Sequence, residues 1–334
     1  MVFRSILLII IKIGMYILWV LDWVTNFNLK KASKVLLYVL VTFLGIAFSY
    51  AIYSDFFSDL AGAFVGDSFH SSNSNIEIYY PVLVRELEEP KISAKSVLVM
   101  DRGKSKVLYE LNSNEKLAPA STVKLMTALV SLDLYVPQEV LTISEYCTGV
   151  EGMKAFFPAE SQFLVDDLIY SMLVGSAGDS ACALASGKVS EKEFIDLMNK
   201  KAKALGMVNT RFSNPVGLDN VNGGHYSTAS DLYKLANNAV ADRFIRQVVS
   251  TNYFNFRSID GSFGSHLYNT NSLLWQIPGS VGIKTGTTED AGEVLIYEFK
   301  DSEKDLVIIV MGSEDRFYDV RSLLTWVLLS YTWN

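Results

Sequence analysis

Two long apolar stretches at the N-terminus constrain the fold of this chain more than any other feature of its sequence. Val35 to Tyr53 contains no charged residue and is close to the roughly 20 residues that a helix needs to cross a bilayer. Ser5 to Val24 is nearly as apolar, although it includes Lys12 and Asp22. The pattern therefore predicts that residues 1–53 form a membrane anchor of two segments, 5–24 and 35–53.

The distribution of charge predicts how this anchor is oriented. Residues 1–53 have a net charge of +4, whereas the whole chain has −7, so the remainder has −11. A basic cluster, Lys30 to Lys34, lies between the apolar segments, and positive residues tend to stay cytoplasmic. We therefore expect the chain after Tyr53 to lie on the outer side of the membrane. The first segment is then a second span or an in-plane helix, and a cleaved signal peptide is the alternative for the second.

Composition excludes several classes of function. A pI near 5.1 argues against nucleic-acid binding, because nothing in the chain could neutralise a run of phosphates. The three histidines are widely scattered and show no metal-ligand spacing, so no histidine metal site is expected. The two cysteines, Cys147 and Cys182, are too few for a disulfide framework, and each is expected to be a small buried hydrophobic residue.

The rest of the chain divides into a linker and one domain. Residues 54–91 include a small polar run typical of a tether, and the domain is expected over 92–334. Runs typical of strands lie near both ends of the domain and a mostly helical stretch lies between them. The strands are predicted at Ser96–Asp101, Lys106–Leu111, Glu293–Lys300 and Leu306–Met311, and the helices at 166–173, 180–186, 191–205 and 230–239.

This arrangement predicts a mixed α/β (α+β) fold. An antiparallel sheet from the two ends of the domain would be flanked by helices, and the middle would form a mostly helical lobe. A cleft between sheet and lobe would be a natural place for a site. A closing helix is predicted from about Phe317 to the C-terminus, packing on the sheet, with a membrane-touching face as the alternative.

The first chemical motif is Ser121-x-x-Lys124, which follows Pro119 at the start of a helix. Residues three apart share one face of a helix, and a lysine with a pKa lowered by burial can take the proton of a serine nucleophile. The uncharged run Leu125 to Leu132 indicates that this helix is buried. A second S-x-x-K, at Ser113, lies in a polar turn and is set aside. Taken alone, the motif at Ser121 is also typical of a serine that only caps the start of a helix.

Two further motifs follow in a fixed order. Ser176 lies in a small-residue turn, where it could face the cleft or simply cap the next helix together with Asp179. Lys284-Thr285-Gly286 offers an ammonium, a hydroxyl and a glycine on a strand where a carboxylate could dock. A solvated lysine on an exposed strand is the alternative. Three such motifs in this order, S-x-x-K, a second serine and K-T-G, are typical of β-lactamases and penicillin-binding proteins.

Between about Ile92 and Trp326 the sequence resembles the D-alanyl-D-alanine carboxypeptidase family of penicillin-binding serine peptidases. Matching segments include PASTVKLMTALV, TRFSNPVGLD and IKTGTTEDAGEVLI. The resemblance implies a β-lactamase/penicillin-binding-protein-like fold. It also implies that Ser121 is the acylated nucleophile, Lys124 its proton acceptor and Ser176 a proton relay to the leaving amine. Because water hydrolyses the acyl-enzyme, the reaction implies no cofactor or metal.

The same resemblance implies a binding subsite for the substrate carboxylate. Lys284, Thr285, Gly286 and Thr287 would hold substrate, with Arg316 as a further carboxylate-binding residue. The backbone N–H groups of Ser121 and Thr287 would form the oxyanion hole. Gly178 is a departure, because the family motif Ser-x-Asn has asparagine at this substrate-contacting position and this chain has Ser176-Ala177-Gly178.

These motifs predict a membrane-anchored D-Ala-D-Ala carboxypeptidase on the cell-wall side of the bacterial cytoplasmic membrane. Its expected partners are peptidoglycan stem peptides ending in D-Ala-D-Ala, β-lactams as covalent inhibitors and the lipid bilayer. A related β-lactamase, endopeptidase or transpeptidase is an alternative. Because of Gly178, a non-catalytic domain that binds the wall or senses β-lactams is another. The sequence shows no convincing glutamate-bearing loop between Ser176 and Lys284, where a class A β-lactamase would need one.

Overall fold

Five antiparallel strands from the two ends of the described chain form the central sheet. The computed structural model describes residues 80–219 and 224–333. The strand order is β3-β2-β10-β9-β8, which confirms the predicted antiparallel sheet. The strands are β2 (Ser96–Asp101), β3 (Lys106–Leu111), β8 (Ser280–Thr288), β9 (Gly292–Lys300) and β10 (Asp305–Ser313).

Alternating side chains of the central strands pack on opposite faces of this sheet. In β10, Val307 and Ile309 join the core shared with the helical lobe, whereas Ile308 and Val310 join a second core. The second core is covered by α9 (Arg316–Ser330). Because both faces are buried, β2, β9 and β10 are almost continuously apolar despite being antiparallel.

The segment between β3 and β8 forms the predicted helical lobe. A 3₁₀ turn (Ala120–Val123) leads into the buried helix α1 (Lys124–Leu134). The other lobe helices are α2 (Glu145–Thr148), α3 (Val165–Val174), α4 (Gly178–Ser186), α5 (Glu191–Ala204), α6 (Ala229–Ala241), α7 (Arg243–Val249) and α8 (Leu273–Gln276). Two small ribbons complete the lobe, β4 (Val140–Thr142) with β5 (Gln162–Leu164) and β6 (Tyr253–Arg257) with β7 (Gly264–Tyr268).

The prediction of a helix to the C-terminus is wrong for the last residues. Helix α9 packs on the sheet as expected, but it ends at Ser330 and β11 (Tyr331–Trp333) follows. This strand pairs with β1 (Pro81–Leu83), whose residues fall within the segment predicted as linker. The Trp333 indole N–H donates to the buried Asp101 carboxylate (2.6 Å), a long-range contact that no local pattern could reveal.

The expectation that both cysteines are separate hydrophobic residues is also wrong. Cys147 in α2 and Cys182 in α4 are both buried, as expected, but they form a disulfide across 35 residues of sequence.

The proposed membrane segments, 5–24 and 35–53, lie outside the described residues. Among the residues that are described, no helix is both long and apolar enough to cross a bilayer.

Candidate active site

Ser121 lies in the 3₁₀ turn that precedes α1, where the lobe meets the edge strand β8. Pro119 begins the turn, and its carbonyl accepts a hydrogen bond from Thr122 Oγ1 (2.6 Å). Ala120 has a left-handed φ of 47°, a conformation that costs energy in a residue other than glycine. Gly286 of β8 approaches so closely that an added Cβ would lie 2.8 Å from the Ser121 nitrogen. Strand and turn can therefore meet only because residue 286 is glycine.

The structure brings Ser121 and Lys124 into direct contact. Lys124 Nζ lies 2.8 Å from Ser121 Oγ and donates to the Val216 carbonyl at 2.5 Å. Burial lowers the pKa of Lys124 to about 7, although the carboxylate of Asp179 works in the opposite direction. A large fraction of the amine is then neutral near pH 7, as a proton acceptor for serine requires.

The Val216 carbonyl is a contact of Lys124 that the motifs did not predict. It lies in a tight turn in which the Asn214 side chain accepts hydrogen bonds from the backbone N–H groups of Val216, Gly217 and Leu218. In addition, Thr127 Oγ1 donates to the Pro215 carbonyl (2.7 Å), which fixes the turn against α1. The sequence signal was the N-P-x-G segment itself, which matched the family without suggesting this contact.

A second serine–lysine pair lies beside the first. Ser176, in the turn between α3 and α4, has a left-handed φ of 59°, and Lys284 Nζ donates to its Oγ at 2.9 Å. The same ammonium donates to the Thr285 carbonyl (3.0 Å). Burial, followed by the charges of Lys124 and Arg316, lowers the pKa of Lys284 well below its ordinary value. Lys284 is therefore a buried donor rather than the solvated strand lysine of the alternative interpretation.

Hydroxyl groups and a guanidinium line the side of the site beyond Lys284. Thr285 Oγ1 lies 2.6 Å from Thr270 Oγ1, a partner that the sequence did not indicate. Arg316, the first residue of α9, donates through Nη1 to Thr287 Oγ1 (2.6 Å) and to the Gly286 carbonyl (2.7 Å). The Glu293 carboxylate lies 3.8 Å from Nε of this guanidinium and accepts a hydrogen bond from the Arg316 backbone N–H (2.9 Å). A cation and two hydroxyls at one end of the site suit a carboxylate.

These groups surround a cavity of about 360 Å³, within the size range of small-ligand sites. The predicted residues on its wall are Ser121, Lys124, Ser176, Thr285, Gly286, Thr287 and Arg316. Glu151 and Met153 also line it, from a loop that carried no predicted role. Within the described part of the chain, no group of three or more histidine, cysteine or acidic side chains could hold a metal ion.

Gly178 lies behind this wall and does not line the cavity. It is the first residue of α4, and its N–H donates to the Met153 carbonyl (2.7 Å). An added Cβ would lie 3.1–3.3 Å from Val216 Cγ1, Val150 Cγ1 and the Met153 carbonyl. The space that a side chain at position 178 would need is therefore filled by two valines.

A sheet edge, a buried Ser-x-x-Lys helix start and a second serine–lysine pair around one cavity define the class of serine acyl-transfer proteins that includes penicillin-binding proteins. Residues 84–315 match the family described as D-alanyl-D-alanine carboxypeptidase. The chain belongs to this family.

Individual relatives agree with this assignment. The D-alanyl-D-alanine carboxypeptidase DacF of Bacillus subtilis is 34% identical over 250 residues, covering 71% of this chain and 63% of DacF. The chain thus spans less than two thirds of that relative's length. A D-alanyl-D-alanine endopeptidase of Escherichia coli is 32% identical over 251 residues, covering 72% of this chain and 78% of the relative. The crystal structure of the Streptomyces K15 DD-transpeptidase superposes with a TM-score of 0.68 at 28% identity, covering 73% of this chain and all of the other.

Proposed function

We propose that this protein is a serine D-Ala-D-Ala carboxypeptidase that acts on peptidoglycan stem peptides through an acyl-enzyme on Ser121. The observation that carries the proposal is the 2.8 Å contact between Ser121 Oγ and a buried Lys124 whose pKa is lowered to about 7. A neutral amine at this distance can take the hydroxyl proton as the oxygen attacks a carbonyl.

The chemical steps use the groups around the cavity. Ser121 Oγ attacks the carbonyl of the penultimate D-Ala while its proton moves to Lys124. The tetrahedral intermediate collapses, and the departing D-alanine nitrogen takes, through the Ser176 hydroxyl, the proton that Lys124 received from Ser121. Ser176 accepts a hydrogen bond from Lys284. Water then hydrolyses the ester to release the shortened peptide and the free serine. We assign the oxyanion to the backbone N–H groups of Ser121 and Thr287.

The substrate carboxylate would lie at the Arg316 end of the cavity. Thr285, Thr287 and Arg316 offer two hydroxyls and a guanidinium there. β-Lactams also carry a carboxylate beside an acyl group, and the same contacts would make them covalent inhibitors. Gly178 brings no side chain to the cavity wall, and Val150 and Val216 lie where its side chain would begin.

We also propose that residues 1–53 anchor the protein in the cytoplasmic membrane with the catalytic domain on the cell-wall side. Two long apolar segments and the basic cluster between them support this placement. Release of the full chain from membranes by detergent, but not by high salt or alkaline carbonate, tests the anchor. Release by salt alone would contradict it.

Two alternatives differ from this reaction in the acceptor that attacks the acyl-enzyme or in the peptide that forms it. An amine acceptor in place of water gives a transpeptidase, and a cross-linked peptide donor gives an endopeptidase. Relatives of both names match the chain. A non-catalytic binding domain is favoured by no described contact, because a pure binder has no use for the Ser121–Lys124 pair.

The test is covalent labelling of the full chain in detergent with a fluorescent penicillin, with Ser121→Ala as the control. We expect serine-dependent labelling that persists for minutes, and release of D-alanine from a peptide ending in D-Ala-D-Ala. Label lost within seconds would indicate a β-lactamase. A folded protein that takes no label would overturn the proposal in favour of a binding domain.

A further inference from the structure

The Cys147–Cys182 disulfide joins two elements that meet behind the catalytic cavity. Cys182 lies in α4 one turn after Gly178, so the two positions share a helix face. Cys147 lies in the four-residue helix α2, three positions before Val150, which packs against Gly178. The cross-link therefore ties the start of the 149–157 loop to the helix on which that loop rests.

The loop is attached to α4 at two further points. The Gly178 N–H donates to the Met153 carbonyl, and the buried Asp179 carboxylate accepts hydrogen bonds from the N–H groups of Ala155 (3.0 Å) and Phe156 (2.9 Å). Both of these attachments hold the later part of the loop. The disulfide is the covalent attachment at its beginning.

The part of the loop between these attachments forms one wall of the cavity. Glu151, Gly152 and Met153 line the cavity with Ser121 and Lys124, yet all three are exposed to solvent. Exposed residues gain little from burial, so this wall depends on how its ends are held. Val150 is the point where the wall reaches α4, and it lies 3.2 Å from the position of a Gly178 Cβ.

We propose that the Cys147–Cys182 disulfide is a positioning cross-link for the acylation site, holding the 149–153 wall against α4 where this chain has Gly178. Neither cysteine lines the catalytic cavity, so the sulfurs act through the wall and not on the substrate. The inference rests on the proposed acylation of Ser121. It adds that acylation is fast only while the cross-link is intact.

The experiment compares the labelling kinetics of three full-length proteins in detergent. They are the wild type, the double variant Cys147→Ala with Cys182→Ala, and Val327→Ala as the matched control. Val327 is buried in the core on the far face of the sheet, so its truncation lowers stability without touching the loop. Fluorescent penicillin gives both the labelling rate and the final fraction labelled.

We expect the cysteine double variant to label at least tenfold more slowly, yet to reach the same final fraction as the wild type. Val327→Ala should have a lower Tm and an unchanged rate. Irreversible unfolding would lower the final fraction, and reversible unfolding would slow labelling only in proportion to the unfolded fraction. A tenfold slower rate at full labelling would then need about nine tenths of the molecules unfolded, which circular dichroism of the same sample would reveal, so the effects separate. A double variant that labels at the wild-type rate overturns the proposal, whereas a wild type that takes no label overturns the proposed function instead.

Limited trypsin digestion adds a readout of position, because Lys154 lies in the loop. Cleavage after Lys154 should accelerate in the cysteine variant relative to cleavage after Lys200 in α5, and slower labelling without faster cleavage there contradicts a positioning role. If the variant folds too poorly to label, wild-type protein is titrated with a phosphine reductant instead. Labelling that slows in step with the appearance of thiols supports the proposal, and labelling unchanged after both thiols appear overturns it.

Discussion

The catalytic cavity and the start of helix α9 both bury charged side chains, but they surround them differently. Lys124, on the cavity wall, and Lys284, which contacts Ser176, have only hydroxyl and carbonyl oxygens as hydrogen-bond partners. At α9, the buried Asp319 carboxylate accepts hydrogen bonds from the N–H groups of Ser93 and Ala94 and from the hydroxyls of Ser93 and Ser313.

The difference shows what each region is arranged to do. Hydrogen bonds from four donors satisfy the Asp319 carboxylate, which fastens the segment just before β2 to α9. The lysines receive no such compensation, so burial lowers the pKa of both side chains and makes Lys124 a base near neutral pH. A perturbed, poorly compensated charge in a cavity is typical of a functional site.

Replacing Lys124 should give the largest effect on chemistry. For Lys124→Met we expect penicillin acylation to slow by about 10³-fold, within the range ascribed to a positioned general base. Stability should not fall, because the folded state holds the pKa of Lys124 near 7 and the unfolded chain does not. The folded state thus binds fewer protons between that value and 10.5, and the buried amine costs stability at neutral pH.

Labelling kinetics and urea unfolding together check this prediction, with Lys116→Met as the matched control. Lys116 belongs to the second S-x-x-K, and its ammonium lies 4.8 Å from the Tyr226 ring, away from the cavity. Its variant should label normally. A Lys124→Met protein that labels at the normal rate would remove Lys124 from the role of base.

Asp319→Ala should have the opposite effect to Lys124→Met, lowering stability and leaving the acylation rate unchanged. Loss of a buried carboxylate that accepts four hydrogen bonds should lower the free energy of unfolding by about 3 kcal/mol, since the partners of charged groups are left unpaired. Molecules that remain folded should acylate at the normal rate, because Asp319 does not line the cavity. Urea unfolding measures the first effect, and the labelling rate at low temperature measures the second. A strong loss of rate at full folding would mean that the two regions are coupled.

The pH dependence of acylation sharpens the comparison without a mutation. Because the pKa of Lys124 is lowered to about 7, the amine becomes protonated below that pH and acylation should fall by about tenfold per unit. Above it, the rate should level off. The charge of Asp179 raises the pKa of Lys124 against the larger effect of burial, and the charge of Lys124 in turn lowers the pKa of Lys284. Labelling reactions quenched at successive times, from pH 5 to 9, measure this rate. A rate that still rises tenfold per pH unit at pH 9 would contradict a lowered pKa of Lys124.

Most of the fold could be predicted from the sequence, because the apolar patterns that indicate strands and helices coincide with the residues that are buried. The strands Ser96–Asp101 and Lys106–Leu111 are observed with the predicted bounds. The errors involve partners distant in sequence. Tyr331–Trp333 is a strand because Pro81–Leu83 pairs with it, and Cys147 meets Cys182 because α2 packs on α4. Neither pairing leaves a periodicity in the local sequence.

The candidate site shows the same difference between contacts that are local in sequence and contacts that are distant. The spacing of Ser121 and Lys124 was enough to predict their contact, because three residues along a helix start determine it. The Val216 carbonyl, Thr270 and Glu151 were missed, since each reaches the cavity from a loop whose path depends on tertiary packing. The roles assigned to the site residues remain predictions, those of Gly178 and Arg316 included, and of these two only Arg316 lines the cavity.

Gly178→Asn tests whether the glycine represents a missing amide or a filled space. The side chain would meet Val150 and Val216, and overpacking of this kind costs about 1–3 kcal/mol. We expect acylation to slow severalfold, and Val150→Ala in the same protein to restore part of the rate by making room. The labelling rates of the single and double variants measure this. An asparagine variant that acylates faster than the wild type would show that the amide was the limiting feature.

Glu151→Gln should give the smallest change in labelling rate. Whether the rate rises or falls shows whether this carboxylate only repels an anionic ligand or takes part in the chemistry of the cavity. Glu151 is the one carboxylate on the wall of the described cavity, and it has no hydrogen bond or ion pair with the described residues. Anionic penicillins approach a cavity whose other charged wall residues are Lys124 and Arg316, so removing the acid should speed labelling by about two- to threefold at low salt. The gain should vanish near 1 M salt, where the Debye length is about 3 Å.

The matched control is Glu193→Gln, on the exposed face of α5, which should leave the labelling rate unchanged. A Glu151→Gln protein that labels more slowly at both salt concentrations would instead give this carboxylate a part in binding or deprotonation, and the cavity would then contain a compensated charge like that of Asp319.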